Sequence, residues 1–370
     1  MGFSEIIDTI DRPSISRAIA QTAPERIKAL LAQERIQDLE LPLLFSPAAA
    51  DLFESIADKA SSITAHRFGR VVNLYAPLYL SNHCVNNCLY CGFARRNKTR
   101  RVALSAREAL AEAQILLDEG FRHLLLVTGE APRAYALEQL EEVVRGLAGR
   151  FASIGIEVFP MNQPGYSRLA EAGVDNLTLY QETYDRETYA RCHDGPKADF
   201  DARLAAIEAG GKVGFRTLGL GALLGLAPWR EEVVMLVRHG RYLSKHFWRT
   251  KISFSFPRLR PAVGGFVPPF PVDDREFAQL IVGLRLAMPD AEIVLSTREP
   301  AALRDALIPF GVTRMSAGSK TNPGGYRDPE GAGRQFDVHD ERSPQEVARA
   351  IEQAGREPVW KDFDRAFLQE

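Results

Sequence analysis

From about residue 71 onward the sequence alternates between short β-branched or apolar runs and helix-like stretches, and this alternation restricts the fold more than any other feature. Eight such runs are present: Val71–Leu80, His123–Thr128, Ile156–Met161, Asn176–Gln181, Phe215–Ala222, Lys251–Pro257, Ala291–Thr297 and Val312–Ala317. Strands alternating with helices predict a parallel sheet in an α/β protein. Eight β/α units are the number that closes a (β/α)8 TIM-type barrel. An open doubly wound sheet is the alternative architecture. The helical signal is clearest over Ser105–Glu119. Ser105 and Glu108 form a capping-box pattern that satisfies exposed N–H donors, and Leu110, Ala113, Leu116 and Leu117 recur at helical spacing before Gly120 stops the helix.

The 370 residues exceed what a simple barrel of about 200–250 residues requires. The remainder reads as two extensions of a barrel spanning 71–320. Residues 1–70 form an N-terminal helical extension, in which Ala23-Pro24-Glu25-Arg26 opens a helix at a position where proline's missing N–H costs nothing. Residues 321–370, rich in Gly, Pro and charge, form a C-terminal tail packed on the barrel; Pro323-Gly324-Gly325-Tyr326 lies near its start and Val359-Trp360-Lys361-Asp362-Phe363-Asp364 near its end.

A barrel makes a checkable statement about chemistry, because its active site lies at the C-terminal ends of the strands. Thr128-Gly129-Glu130 ends the second run and Gln181-Glu182-Thr183 the fourth. Pro257-Arg258 ends the sixth, Thr297-Arg298-Glu299 the seventh and Ser316-Ala317-Gly318-Ser319 the eighth. The loop after the first run contains Cys84, Cys88 and Cys91, spaced C-x3-C-x2-C; Cys192 is the one other cysteine. Three thiols in so short a loop do not form a disulfide framework, but they can wrap one metal centre. A four-iron cluster held by three thiolates leaves one iron without a protein ligand. A structural zinc site, which wants four ligands and could recruit His83, is the other reading of the spacing alone. The pattern, with an aromatic residue, Tyr90, before the third cysteine, resembles the radical S-adenosylmethionine (SAM) superfamily. That resemblance implies a [4Fe-4S] cluster whose open iron binds SAM through its amino and carboxylate groups.

A net charge of -2 implies no field that would attract nucleic acid. No uncharged apolar run reaches membrane-spanning length. The N-terminus lacks the basic region and apolar core of a signal peptide, and closely spaced reduced cysteines fit a reducing cytoplasm.

The strand ends then receive roles. Glu130 is placed to accept the SAM ammonium, with the carbonyls of Thr128 and Gly129 assisting; the position resembles the glycine-rich second-strand motif of the superfamily. Glu182 and Arg203 are spaced like an Asn and an Arg of biotin synthase that hold the ribose and the SAM carboxylate. On a helix, Arg203 could instead pair with Asp199. Leu223, within Leu220–Leu226, suits close approach to adenine. Arg298 can grip a substrate carboxylate through two parallel bonds, helped by Ser316; an ion pair with Glu299 or Asp305 is its bland alternative. Arg258 and Arg260 are a second, lower-ranked anion site. Cys192 reads as a small apolar residue.

Across most of the chain the fragments Tyr75–Asn82, Leu125–Glu130, Tyr180–Tyr184, Gly219–Leu226, Ser253–Pro261, Leu295–Glu299, Ser319–Tyr326 and Pro358–Asp362 together resemble the aromatic amino-acid lyases of the superfamily, in particular the ThiH-type 2-iminoacetate synthases (tyrosine lyases) of thiamine biosynthesis. The resemblance implies that SAM is cleaved to methionine and a 5'-deoxyadenosyl radical, which abstracts hydrogen from the amino group of L-tyrosine. The Cα–Cβ bond then breaks to give 2-iminoacetate (dehydroglycine) and 4-cresol. It further implies ThiG as recipient of the product and an electron donor such as flavodoxin or ferredoxin. Related readings are a tryptophan lyase, a HydG-like lyase, or a non-catalytic cluster-binding partner of ThiG. The HydG branch carries a second cysteine-ligated cluster in a C-terminal extension, and this sequence has no cysteine after Cys192.

Overall fold

A computed structural model describes residues 2–260 and 262–362. Residues 1, 261 and 363–370, which fall within the expected extension, barrel and tail, lie outside the described residues. Eight parallel strands form the centre: β1 (Val71–Ser81), β2 (His123–Thr128), β3 (Ser153–Glu157), β4 (Asn176–Thr178), β5 (Thr217–Gly221), β6 (Lys251–Ser255), β7 (Glu292–Leu295) and β8 (Arg314–Ser316). Each pairs with the next, and β8 returns to β1 through Asn73–Arg314, Leu74–Met315 and Tyr75–Ser316. The ring is closed, so the open doubly wound alternative is excluded.

The strands close into a barrel because both of their faces find apolar cover. Ile154, Leu177, Leu218, Phe254, Ile293 and Met315 are all buried. The helix Ala106–Asp118 shows how the outer layer docks. Its capping box between Ser105 and Glu108 is formed, and Ala109, Ala113 and Leu116 bury one face. Glu112 is buried on that same face, where it accepts the backbone N–H groups of Tyr326 at 2.9 Å and Arg327 at 3.1 Å. A carboxylate in an apolar face is tolerated only when so bonded, and here it pins the segment that follows β8.

The third strand begins at Ser153, not at Ile156 as the apolar run suggested. Ser153 and Gly155 carry no apolar signal, yet both sit inside the sheet. Ser153 is buried and receives the Asn176 amide at 2.6 Å. A Cβ on Gly155 would lie 3.3 Å from the Leu125 side chain. The rest of the run, 158–161, is loop. β2 matches its run and β1 extends one residue past it, while β4 to β8 start within two residues of the expected positions but stop earlier, because residues such as Leu179–Gln181 and Ser296–Thr297 have left the sheet to form the barrel mouth.

The first 70 residues are helical, with helices at Phe3–Ile7, Arg12–Gln21, Pro24–Leu31, Leu41–Leu44, Pro47–Asp51 and Phe53–Phe68. They cover the barrel helices Trp229–His246 and Asp274–Ala287; for example, Gln279 of the second donates to the Ser46 carbonyl at 2.8 Å. Beyond β8, the helix Pro344–Gln353 leads into a short strand, β9 (Glu357–Val359), which pairs with Val71–Asn73 of β1. That stretch of β1 is free because β2 pairs only from Ala76 onward. No helix among the described residues is long and apolar enough to cross a membrane.

A fully buried ion pair, Arg304–Asp340, ties the segment after β8 to the helix Ala301–Leu307. Arg304 also donates to the Ser316 carbonyl. Removing one partner of such a pair strands the other in a dry site. Asp340→Ala is therefore expected to cost about 3–5 kcal/mol, read as a lowered urea midpoint; a loss under about 1 kcal/mol would show that Arg304 finds other acceptors.

Candidate active site

Two adjoining cavities open at the C-terminal mouth of the barrel. One is lined by Cys84, Cys88 and Cys91 together with Tyr90, Thr128, Gly129, Glu130, Glu182 and Arg203. The other, larger one is lined by Arg298, Ser316 and Leu223. They share Tyr90, Cys91, Val127, Glu157, Glu182 and Gln335. The structure thus brings all of the sequence-derived candidates to one rim, distributed over two chambers.

The cysteine loop has no regular structure, so its carbonyls need side-chain donors. Arg101 donates to Asn82 at 2.6 Å, Phe93 at 2.8 Å and Ala94 at 2.7 Å. Arg96 reaches Asn87 at 2.9 Å and Leu89 at 3.0 Å. A register shift between Tyr79 and Ser81 redirects the chain at the end of β1, a common use of such irregularities beside functional loops. Gly129 lets the loop lie against the end of β2; a Cβ there would press into the His83 carbonyl and come within 3.3 Å of Cys84 Cβ.

Burial pushes the Cys88 thiol up to about 12 and Cys91 up to about 11. Thiolates at these positions call for a bound cation, which deprotonates a coordinating thiol outright. Among the described residues no three His, Cys, Asp or Glu side chains converge closely enough to share one ion. Cys84, Cys88 and Cys91 line one cavity, and three thiols are a donor set that fits a cluster with thiolate ligands.

Beside the thiols lie two buried ion pairs. Glu130 bonds Arg203 at 2.8 Å and the Asn86 amide at 2.8 Å. Lys197 bonds Glu182 at 2.6 Å. Burial alone would raise both carboxyls, but Arg203 and Lys197 hold both below the usual carboxylate value. Arg203 does not pair with Asp199, which instead caps the helix Phe200–Val213 by accepting from Ala202 N–H at 2.9 Å. Glu182 is the one non-glycine residue at positive φ among the described residues, at 71°. Such a conformation costs on the order of 1–3 kcal/mol and persists only where its surroundings demand it. Its carbonyl accepts the N–H of Leu223 at 2.8 Å, which joins the two candidates directly.

In the larger cavity, Arg298 has no carboxylate partner among the described residues. Glu299 is taken by Arg258 and by Arg260 at 2.6 Å, and Asp305 by Arg342 at 2.9 Å. Neither ion pair that was the alternative for Arg298 is present among the described residues. Arg258 and Arg260 form a brace on Glu299 rather than a second anion site. The Arg298 guanidinium lies 3.5 Å from the centre of the Phe336 ring, and its Nε has no acceptor. Burial lowers its pKa from the ordinary arginine value. Ser316 Oγ accepts the Thr297 N–H at 3.1 Å.

Several contributors had not been singled out. Lys197 supplies a cation to the cysteine chamber. His193, with Nδ1 on the Tyr189 carbonyl at 2.8 Å, accepts the Tyr90 hydroxyl at its Nε2 at 2.7 Å, with the tautomer assigned from that pattern. Gln335 bonds the Tyr79 hydroxyl at 2.7 Å and its carbonyl accepts Gly92 N–H at 3.0 Å. Glu157, the last residue of β3, faces both chambers. Burial, and then repulsion from Glu182, push its carboxyl up to about 7 against the pull of Arg298, Lys197 and Arg203. Cys192 packs with Leu223 and Leu226 in an apolar cluster.

Residues 78–237 match the radical SAM superfamily, and residues 255–357 match the Biotin and Thiamin Synthesis associated domain. Over 350 residues the chain is 41% identical to the 2-iminoacetate synthase of Escherichia coli (strain K12), spanning 94% of this chain and 93% of that protein. Among solved structures, HydG, a maturase of the [FeFe]-hydrogenase, superposes with a TM-score of 0.89 at 30% identity over 96% of this chain and 82% of that one. Methylornithine synthase (PylB) shares the fold, with a TM-score of 0.74 at 23% identity over 90% and 97% of the two chains.

Proposed function

The chain belongs to the 2-iminoacetate synthase family of the radical SAM superfamily, and from that premise we propose that it cleaves the Cα–Cβ bond of L-tyrosine to 2-iminoacetate and 4-cresol, for thiazole formation in thiamine biosynthesis. The observation that carries the reading is Arg298: a half-buried guanidinium without a carboxylate partner among the described residues, in a cavity that adjoins three thiols. A cation partly withdrawn from water gains from an anion that completes it, and an amino-acid carboxylate is such an anion.

Cys84, Cys88 and Cys91 hold a [4Fe-4S] cluster, and Glu130, Arg203, Glu182, Leu223, Tyr90 and the carbonyls of Thr128 and Gly129 hold SAM. When bound, these groups supply the 5'-deoxyadenosyl radical that starts the reaction. The chain's own work is to bind and orient. Glu130 would accept the SAM ammonium and Arg203, now bonded to Glu130, would hold its carboxylate. Glu182, held at positive φ, would accept from the ribose hydroxyls. Arg298 and Ser316 fix the tyrosine carboxylate, which sets the distance between its nitrogen and the cofactor chamber; such positioning is worth several orders of magnitude in rate. Gln335 and Phe336, from the segment after β8, line the substrate cavity beside the strand ends. ThiG as recipient of the iminoacetate, and a flavodoxin or ferredoxin as electron donor, complete the reading. A reducing cytoplasm suits the thiols.

Two measurements test this assignment. Anaerobically reconstituted protein, reduced with SAM present, is expected to release 5'-deoxyadenosine in a tyrosine-dependent manner; absence of any release would favour a non-catalytic cluster-binding partner. Arg203→Ala would leave the SAM carboxylate without its cation and is expected to weaken SAM binding by about 2–5 kcal/mol. If equilibrium dialysis found normal SAM binding with only tyrosine affinity lost, Arg203 would belong to the substrate.

A further inference from the structure

A carboxylate clamp alone leaves the other charged group of an amino acid without a partner, and the larger cavity contains one group suited to it. Its lining includes two carboxylates, Glu157 and Glu182. Glu182 is already bonded to Lys197 at 2.6 Å. Glu130, in the adjoining chamber, is bonded on one oxygen by Arg203 and on the other by Asn86. The Glu157 carboxyl takes neither a hydrogen bond nor an ion pair among the described residues. Its side chain is half-buried, and a carboxylate partly withdrawn from water gains from a cationic partner.

Its place in the barrel is equally specific. β3, which ends at Glu157, and β7, which leads into Arg298, lie four strands apart in a ring of eight, on opposite walls. Both side chains point into the same cavity. Glu157 is also part of the boundary with the cysteine chamber. A nitrogen held there faces the side from which the hydrogen is to be taken, while the carboxylate stays across the mouth.

We propose that Glu157 receives the ammonium group of the amino-acid substrate, so that the substrate is held at two points, its carboxylate on Arg298 and its nitrogen on Glu157. This inference rests on the reading of the larger cavity as an amino-acid site. It makes Glu157 a binding residue that selects α-amino acids over their des-amino analogues. A carboxylic acid of the same shape that lacks the amine would leave Glu157 without its partner, and sites built to bond a substrate group reject ligands without it.

The test compares affinities of the cluster-loaded, SAM-bound protein for L-tyrosine and for 3-(4-hydroxyphenyl)propanoate. The wild-type protein is expected to prefer tyrosine by about tenfold or more, the scale of a charge-assisted hydrogen bond. In Glu157→Gln that preference is expected to collapse to within about twofold, through weaker tyrosine binding, with SAM affinity unchanged. Glu157→Asp, which keeps the charge but shortens the reach, is expected to retain part of the preference; it serves as the deciding variant if the Gln protein fails to load its cluster. An undiminished preference in the variants, or a loss of SAM affinity in place of tyrosine affinity, overturns the inference. Should the wild-type protein bind no amino acid, the function reading falls and this inference with it. If it forms 4-cresol while Glu157→Gln keeps the full preference, this inference alone falls. If tryptophan is the substrate, the same ratio against indole-3-propanoate decides it.

Discussion

Cys88→Ala is expected to abolish both the iron–sulfur absorbance and SAM cleavage, and Cys84→Ala and Cys91→Ala are expected to do the same. A cluster with three protein thiolates has none to spare, since its fourth iron is the one left for SAM. Cys88 is the most buried of the three, and its loop is held in place by Arg96, Arg101 and the Gln335 carbonyl. The loop therefore cannot swing a different side chain into the vacated place without losing several buried hydrogen bonds. Cys192→Ala is the control. It lies in the apolar cluster with Leu223 and Leu226, and its removal should leave cluster content and SAM cleavage close to wild type. A normal four-iron spectrum in Cys88→Ala, or its loss in Cys192→Ala, would contradict the ligand assignment.

Arg298→Lys should keep the cluster and SAM binding yet separate SAM cleavage from product formation. The guanidinium does two things that an ammonium cannot. It presents a planar pair of donors to a carboxylate, and its Cζ lies over the Phe336 ring, 3.5 Å from the ring centre. Lysine keeps the charge and loses both constraints, so the carboxylate settles in a different position and takes the amine with it. A misplacement of about 1 Å can cost on the order of 100-fold in rate. The expected result is 5'-deoxyadenosine still formed, with 4-cresol per 5'-deoxyadenosine falling steeply. An unchanged ratio together with unchanged tyrosine affinity would remove Arg298 from the substrate site.

The barrel could be read from the sequence because its signal is repeated. Eight alternations outvote any one badly placed boundary, and the error at β3 arose where a serine and a glycine do a strand's work by packing closely between neighbours. The cysteine loop was legible for a different reason: its chemistry is concentrated in eight consecutive residues. What the sequence did not disclose are pairings made by closure. Arg203 lies four residues from Asp199 but meets Glu130, 73 positions away. Arg258 and Arg260 look like an anion site until Glu299 is seen between them. Lys197, Glu157 and Gln335 are isolated residues without periodicity or motif, and each acquires a role only when strand ends and the segment after β8 are brought to one rim. Glu157 had a signal of a kind, as a lone carboxylate in an apolar run bound for a barrel interior, where an unpaired charge calls for a partner.

The central claim is that this chamber breaks the Cα–Cβ bond of tyrosine. Reduced protein supplied with SAM and ring-labelled L-tyrosine, or with ring-labelled L-tryptophan, should be analysed by mass spectrometry for side-chain and backbone products. The expected result is labelled 4-cresol from tyrosine, appearing together with 5'-deoxyadenosine and the iminoacetate fragment, and no matching side-chain product from tryptophan. Formation of 5'-deoxyadenosine without 4-cresol, or a side-chain product from tryptophan alone, would contradict it.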